Sequence, residues 1–268
     1  MAPSKKKVKK AAEQRKAIAL LVLVAGVLIA GVVWQLNNQS KPKCPQCGQH
    51  FLFVDNSDAF SEVEKEKLGN GADGGLVSVV WDEMSVGEQL HVYALSPETM
   101  DAEELISVER IADAQDVSMV TAAPRRVAMR LKNLFLELEK SLTAVGETSM
   151  SNSRIFESLN RIAFKINNHH RINKDENGGP FRYSITVYSD LLQNSDLYSF
   201  YRARTLGFSE WKETPSYGPA KLSFEPGADV TITLCKIPKA IPQQKKSVDE
   251  FWLAYLGNSG ARLSGRDC

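Results

Sequence analysis

Histidine and cysteine are both scarce in this chain, four of each among 268 residues. That scarcity limits the metal chemistry open to it. A zinc ribbon needs two Cys-x-x-Cys pairs, and only Cys44-Pro45-Gln46-Cys47 is present; Cys235 and Cys268 stand apart and alone. The one adjacent pair of histidines, His169-His170, cannot face a single metal from either a helix or a strand, and is expected in a solvated polar loop. A glycine-rich run, Gly69-Asn70-Gly71-Ala72-Asp73-Gly74-Gly75, lacks the preceding strand and the following Lys-Ser/Thr of a phosphate-binding loop. It reads as a break between two helices. Internal repeats are absent, and only the lysine-rich start is low in complexity.

Charge is also missing where it matters. Residues 17–34, AIALLVLVAGVLIAGVVW, carry none. The run has no polar stripe, as a buried core helix would, and is long enough to cross the hydrocarbon core. The first 16 residues hold seven lysines and arginines against the single Glu13, a net +6. The overall +1 therefore leaves −5 for the rest. A mildly acidic body argues against nucleic acid as its partner. The basic head before an apolar span places residues 1–16 in the cytoplasm, a transmembrane helix over 17–36, and everything later outside. A cleavable signal peptide is the alternative, but its apolar core is usually shorter and ends in a small-x-small site. Gly26-Val27-Leu28-Ile29-Ala30 has the small-xxx-small spacing that lets two such helices approach, so a homo-oligomer is one expectation.

A polar linker, 37–48, carries the Cys-x-x-Cys pair. A disulfide in an oxidising compartment ranks first, thiol–disulfide redox work second, and zinc last. The remaining 49–268 is the length of one ordinary domain. Within it, Phe51-Leu52-Phe53-Val54 reads as a strand buried on both faces. Ser61-Glu62-Val63-Glu64 is a capping box that starts a helix, and a second helix runs over 76–84. Residues 90–95 and 105–111 read as strands joined as an antiparallel hairpin at a sheet edge. Helical spacing is clearest over 124–142, through Val127, Leu131, Leu134, Phe135, Leu138 and Leu142. Further helices are expected over 155–166, 197–204 and 248–256, and strands over 229–237 and 261–263.

The chemistry-bearing residues fall at strand ends. The first apolar strand stops at Asp55-Asn56-Ser57-Asp58. A later one, Ile185-Thr186-Val187-Tyr188, stops at Ser189-Asp190. Ligands bind at the carboxyl edge of open α/β sheets. If the two strands are neighbours, Asp55 and Asp190 share one crevice, and acids with hydroxyls suit a hard divalent cation. The plain alternative is that Asp and Ser after a strand are ordinary turn formers and helix caps. Thr148 to Ser153 form a hydroxyl-rich entry to a helix, whose simplest role is N-capping.

Strands alternating with helices, two strands ending in Asp, and a hydroxyl loop between them resemble a von Willebrand factor A-like domain of the membrane-anchored bacterial type. The resemblance spans roughly residues 49–265 as a pattern of elements. It implies a doubly wound, mostly parallel α/β sheet with one antiparallel edge strand. In that family an Asp-x-Ser-x-Ser strand end, a later Thr and a further strand-end Asp form a metal-ion-dependent adhesion site, usually holding magnesium. Asp55 and Ser57 match its first two positions. The third falls on Ala59, which cannot ligate, with Asp58 beside it as a substitute ligand. Asp190 matches the late Asp, and Ser151 and Ser153 are the hydroxyls nearest the Thr position. The implied metal set is thus Asp55, Ser57, Asp58, Ser151, Ser153 and Asp190.

The same resemblance implies a non-enzymatic binding module; with the anchor read above it is expected at the bacterial inner membrane, within a multi-protein envelope assembly. An acidic side chain of another protein would reach the metal. Two alternatives stand beside it. A metal-dependent phosphate-ester hydrolase also uses strand-end acids, but no Lys or His is placed to help and no Asp-x-Asp follows Asp55. A thiol–disulfide protein would use Cys44 and Cys47.

Overall fold

The computed structural model describes residues 48–69, 75–96, 101–110, 152–173, 181–202, 206–239, 241–244 and 246–265, with a few isolated positions between 133 and 141. The apolar run at 17–36, the Cys-x-x-Cys pair, Ser151, Cys268 and most of the helix expected over 124–142 lie outside the described residues. Among the described residues no helix is long and apolar enough to cross a membrane.

Six strands form one sheet: β1 Gln49–Val54, β2 Gln89–Leu95, β3 Ala102–Glu109, β4 Arg182–Ser189, β5 Asp229–Lys236 and β6 Arg262–Gly265. Their order is β3-β2-β1-β4-β5-β6. β2, β1, β4, β5 and β6 run parallel, while β3 returns antiparallel against β2 at the edge. This is the mixed, mostly parallel α/β sheet expected from the alternating pattern, hairpin edge included.

β1 lies in the middle because all four residues of Phe51-Leu52-Phe53-Val54 are apolar and fully buried, so neither face can meet water. Side chains alternate across the strand. Phe51 and Phe53 join Tyr93, Ile185 and Val187 beneath the helices α3 (Ile155–Asn173) and α6 (Lys246–Gly257). Leu52 and Val54 face the other way, towards Leu68 of α1 (Glu62–Gly69) and Val77, Val80 and Trp81 of α2 (Leu76–Glu83). Two short helices, α4 (Phe208–Trp211) and α5 (Tyr217–Ala220), complete the α3 side. There Phe156 stacks on Trp211 at 4.8 Å and lies 4.9 Å from Trp252 and 4.6 Å from Tyr255. This aromatic cluster anchors the start of α3.

The capping box forms as expected: Ser61 N–H donates to Glu64 Oε2 at 2.6 Å, and Glu64 N–H to Ser61 Oγ at 3.4 Å. Two expectations fail. His169 and His170 are not in a loop, because α3 continues to Asn173. His169 Nδ1 meets the Tyr183 hydroxyl at 2.9 Å and His170 is buried, so tertiary contacts extend the helix past its apolar stripe. Nor is 197–204 helical where it is described. Leu197 N–H donates to Ser195 Oγ, Tyr201 N–H to Ser199 Oγ, and Ser199 Oγ to Asn194 Oδ1. These local side-chain bonds compete with helix formation.

Cys235, at the end of β5, is fully buried and disulfide-bonded. At the opposite rim, Glu88 ties the start of β1 to the turn before β2. Its carboxylate accepts from Gly48 N–H at 3.1 Å and Ser85 N–H at 2.7 Å, and meets His50 Nε2 at 3.0 Å. A Cβ on Gly48 would lie 2.9 Å from both the Arg182 carbonyl and Glu88 Oε1, so only glycine fits there. Burial would raise the Glu88 pKa, but the His50 contact and the two backbone donors hold it below the ordinary value. Replacing Glu88 with Ala strands two backbone donors, and should cost roughly 2–4 kcal/mol in urea denaturation, with Glu88→Gln costing less. Equal stability of wild type and Glu88→Ala would refute the role of this tie.

Candidate functional site

Strand order reverses between β1 and β4, the point where open α/β sheets form their ligand crevice. Val54 pairs with Tyr188, and Asp55 N–H continues the ladder to the Tyr188 carbonyl at 2.9 Å. Asp55 and Asp190 therefore lie at one rim of one sheet. Both are buried, at 3% and 5% exposure.

The Asp55 carboxylate accepts three hydrogen bonds. Oδ1 accepts from Ser57 N–H at 3.1 Å. Oδ2 accepts from Ser153 Oγ at 2.8 Å and Ser189 Oγ at 2.7 Å. Three separate segments thus meet on one side chain. Burial pushes the Asp55 pKa up, against the Ser189, Ser153 and Ser57 hydrogen bonds that pull it down. Asp190 Oδ1 accepts from Leu192 N–H at 2.8 Å. Burial first, and then the charge of Asp55, push its pKa up to about 7. Its backbone carbonyl is held by Gln244 Nε2 at 2.9 Å.

Between the acids and the aromatic cluster sits Leu191, at φ 64. A non-glycine residue in the left-handed region costs about 1 kcal/mol. Ser189 Oγ accepts its N–H at 2.8 Å, and Trp252 Nε1 donates to its carbonyl at 2.8 Å. Backbone strain of this kind gathers at functional sites.

Of the residues singled out from sequence, Asp55, Ser57, Ser153 and Asp190 come together. Asp58 is exposed, and its charge raises the Asp190 pKa. Ala59 is exposed and has no side-chain oxygen. Ser189 was not singled out as a site residue. Continuing the β1–β4 register by one residue sets it beside Asp55, so it becomes visible only once that pairing is known. Tyr201 was missed too. Burial pushes its hydroxyl up to about 12, followed by the charges of Asp190, Asp58 and Asp55. Beside it a cavity of about 840 Å³ opens, lined by Arg154, Glu157, Asp196, Tyr201 and Arg202 among others.

The donor set is all hard oxygen: two carboxylates and the hydroxyls of Ser153 and Ser189, with Ser57 adjacent. Each hydroxyl spends its proton on Asp55, and among the described residues no donor is seen on Ser153 Oγ. Such donors fit magnesium or manganese better than zinc or copper. The histidines are elsewhere. His50 and His91 lie early in β1 and β2, where they contact Glu88 and Glu104. His169 and His170 pack on Tyr183, near the start of β4. All four lie towards the rim opposite the crevice.

No family model matches the chain, and no curated protein matches it in sequence. Among solved structures it is similar to the crystal structure of manganese-loaded Plasmodium vivax TRAP protein, at 12% identity and a TM-score of 0.33. That likeness covers 84% of this chain and 70% of the other. Similarity at this level assigns neither activity nor ligand.

The raised acids set the sign of a pH effect. Unfolded, both titrate near 4. Between there and about 7 the folded chain keeps a proton on Asp190 that the unfolded chain has lost. Stability therefore falls as pH rises through that window, by up to about 4 kcal/mol, and the loss persists above it. His91 and His169, lowered first by burial, act in the opposite sense below their ordinary value. The difference between wild type and Asp190→Asn isolates the acid. In EDTA, Asp190→Asn should gain stability relative to wild type from pH 5 to pH 8, read from denaturation midpoints. Parallel pH profiles for the two proteins would contradict the burial argument.

Proposed function

We propose that this chain is a membrane-anchored protein-binding module whose crevice holds a divalent cation, magnesium in the cell. Asp55, Ser57, Ser153 and Asp190 would hold the ion, directly or through water, with Ser189 orienting Asp55. A carboxylate from a partner protein would complete the ion's shell. The observation that carries this reading is the convergence of Asp55, Ser153 and Asp190, drawn from three distant stretches of chain, at the reversal point of the sheet. Two buried acids whose charges oppose each other are stabilised by a cation between them. Magnesium needs few protein ligands because it keeps several waters, so the absent hydroxyl at Ala59 does not preclude binding.

Other features support the setting. The uncharged run at 17–34 behind a basic head favours an anchor with the domain outside the cytoplasm. The disulfide at Cys235 favours an oxidising compartment such as the periplasm. The distance of all four histidines from the crevice favours binding over hydrolysis, because no imidazole is in place as a general base. An anchored domain that carries a binding crevice would suit a place in a multi-protein envelope assembly.

Manganese titration of the full-length chain in detergent, followed by electron paramagnetic resonance, tests the reading. One Mn²⁺ per chain should bind and be displaced by Mg²⁺. Affinity should rise from pH 6 to pH 8, as the ion displaces the Asp190 proton. Asp55→Asn and Asp190→Asn should each weaken binding by at least about tenfold. No binding at millimolar Mn²⁺ or Mg²⁺ would overturn the cation site. Phosphate-ester turnover abolished by Asp55→Asn would replace the binding module with an enzyme.

A further inference from the structure

We infer that Gln193 is the positioning residue of the crevice: it caps α3 so that the Ser153 hydroxyl is free to serve Asp55. The inference rests on the cation-site reading for its consequence, but on the local geometry for its existence.

The first four N–H groups of a helix have no partner within it, and a Ser, Thr, Asp or Asn side chain just before the helix usually supplies one. Ser158 N–H donates to the Arg154 carbonyl at 3.0 Å, which makes Arg154 the N-cap of α3. Arginine has no side-chain acceptor. Ser153, one residue earlier, has an acceptor but points it elsewhere, its hydroxyl donating to Asp55 at 2.8 Å. The capping oxygen arrives from a different part of the chain. Gln193 Oε1 accepts from Phe156 N–H at 3.0 Å, and Gln193 is wholly buried.

The other end of the amide is also occupied. Gln193 Nε2 donates to Ser195 Oγ at 2.7 Å and to Glu157 Oε2 at 3.2 Å. The next residue grips Ser153 itself: Ser153 N–H donates to the Asn194 carbonyl at 3.1 Å, and Asn194 N–H to the Ser153 carbonyl at 2.7 Å. Gln193 follows Asp190 by three residues. One short segment, 189–194, therefore supplies Ser189 and Asp190 to the crevice and fixes Ser153 from behind. Without Gln193, Ser153, one residue before the cap, would turn its hydroxyl to the bare N–H groups of α3 and so leave Asp55.

Gln193→Met keeps the volume and removes both hydrogen-bonding functions. A crystal structure of the full-length variant reads the geometry with no metal involved. The expected result is Ser153 Oγ turned to α3 and out of hydrogen-bonding distance of Asp55 Oδ2. A Ser153–Asp55 bond unchanged from 2.8 Å would overturn the inference, whether or not the protein binds metal. Manganese affinity reads the consequence. Gln193→Met and Ser153→Ala should each weaken binding by about tenfold, the scale of outer-shell losses at metal sites. In the Ser153→Ala background, Gln193→Met should then add little, because the two act through one hydroxyl. Fully additive losses would show that Gln193 acts only on general stability, and would also overturn it. A wild-type chain that binds no manganese would remove the cation reading, and leave the capping role to be judged by the crystal structure.

Discussion

A carboxylate shut away from water must be neutral, paired with a cation, or surrounded by donors. Asp55 takes the third course, and the crevice follows from it. Its donors come from the turn after β1, the entry to α3 and the end of β4. Removing any one leaves the side chain less compensated, so the three segments are held at a common point. The aromatic cluster around Phe156 supplies the apolar counterpart from below. Phe156 is the residue whose N–H Gln193 caps, so the polar network and the apolar packing meet at one position on α3.

Asp190 is in a different condition. Only one hydrogen bond to its carboxylate is seen among the described residues, and the charge of Asp55 adds to the cost of ionising it. One acid is thus satisfied by the chain and the other is left with an oxygen to offer. That asymmetry is what the proposed binding crevice requires; in a purely structural cluster both would be saturated. The plain reading of these acids as turn formers is met as well: Asp190 caps the following turn through Leu192 with one of its two oxygens.

The sheet was legible in the sequence to the extent that hydrophobic pattern alone determines it. Phe51-Leu52-Phe53-Val54 announces a central strand, residues 90–95 and 105–111 a hairpin edge, and Ser61 with Glu64 a helix start; all appear. What the pattern could not carry was pairing. Ser189 becomes a partner of Asp55 only through the β1–β4 register, and Gln193 becomes a cap only because α3 starts beside it. The helix expected over 197–204 failed because Asn194, Ser195 and Ser199 bond to nearby backbone and to one another, a competition that apolar spacing does not register. The histidine pair was misplaced in a loop because Tyr183 draws His169 onto the sheet, a contact set by tertiary packing.

The left-handed twist at Leu191 has a kinetic consequence. The peptide bonds on either side are held, one by Ser189 Oγ and the other by the Trp252 indole, so the contour of the rim is set by the folded core beneath it. A cation bound as proposed would then meet a rim already in shape and would wait for no loop to close. The speed of its capture would be governed by how fast the ion sheds its own water, and magnesium gives up its waters reluctantly.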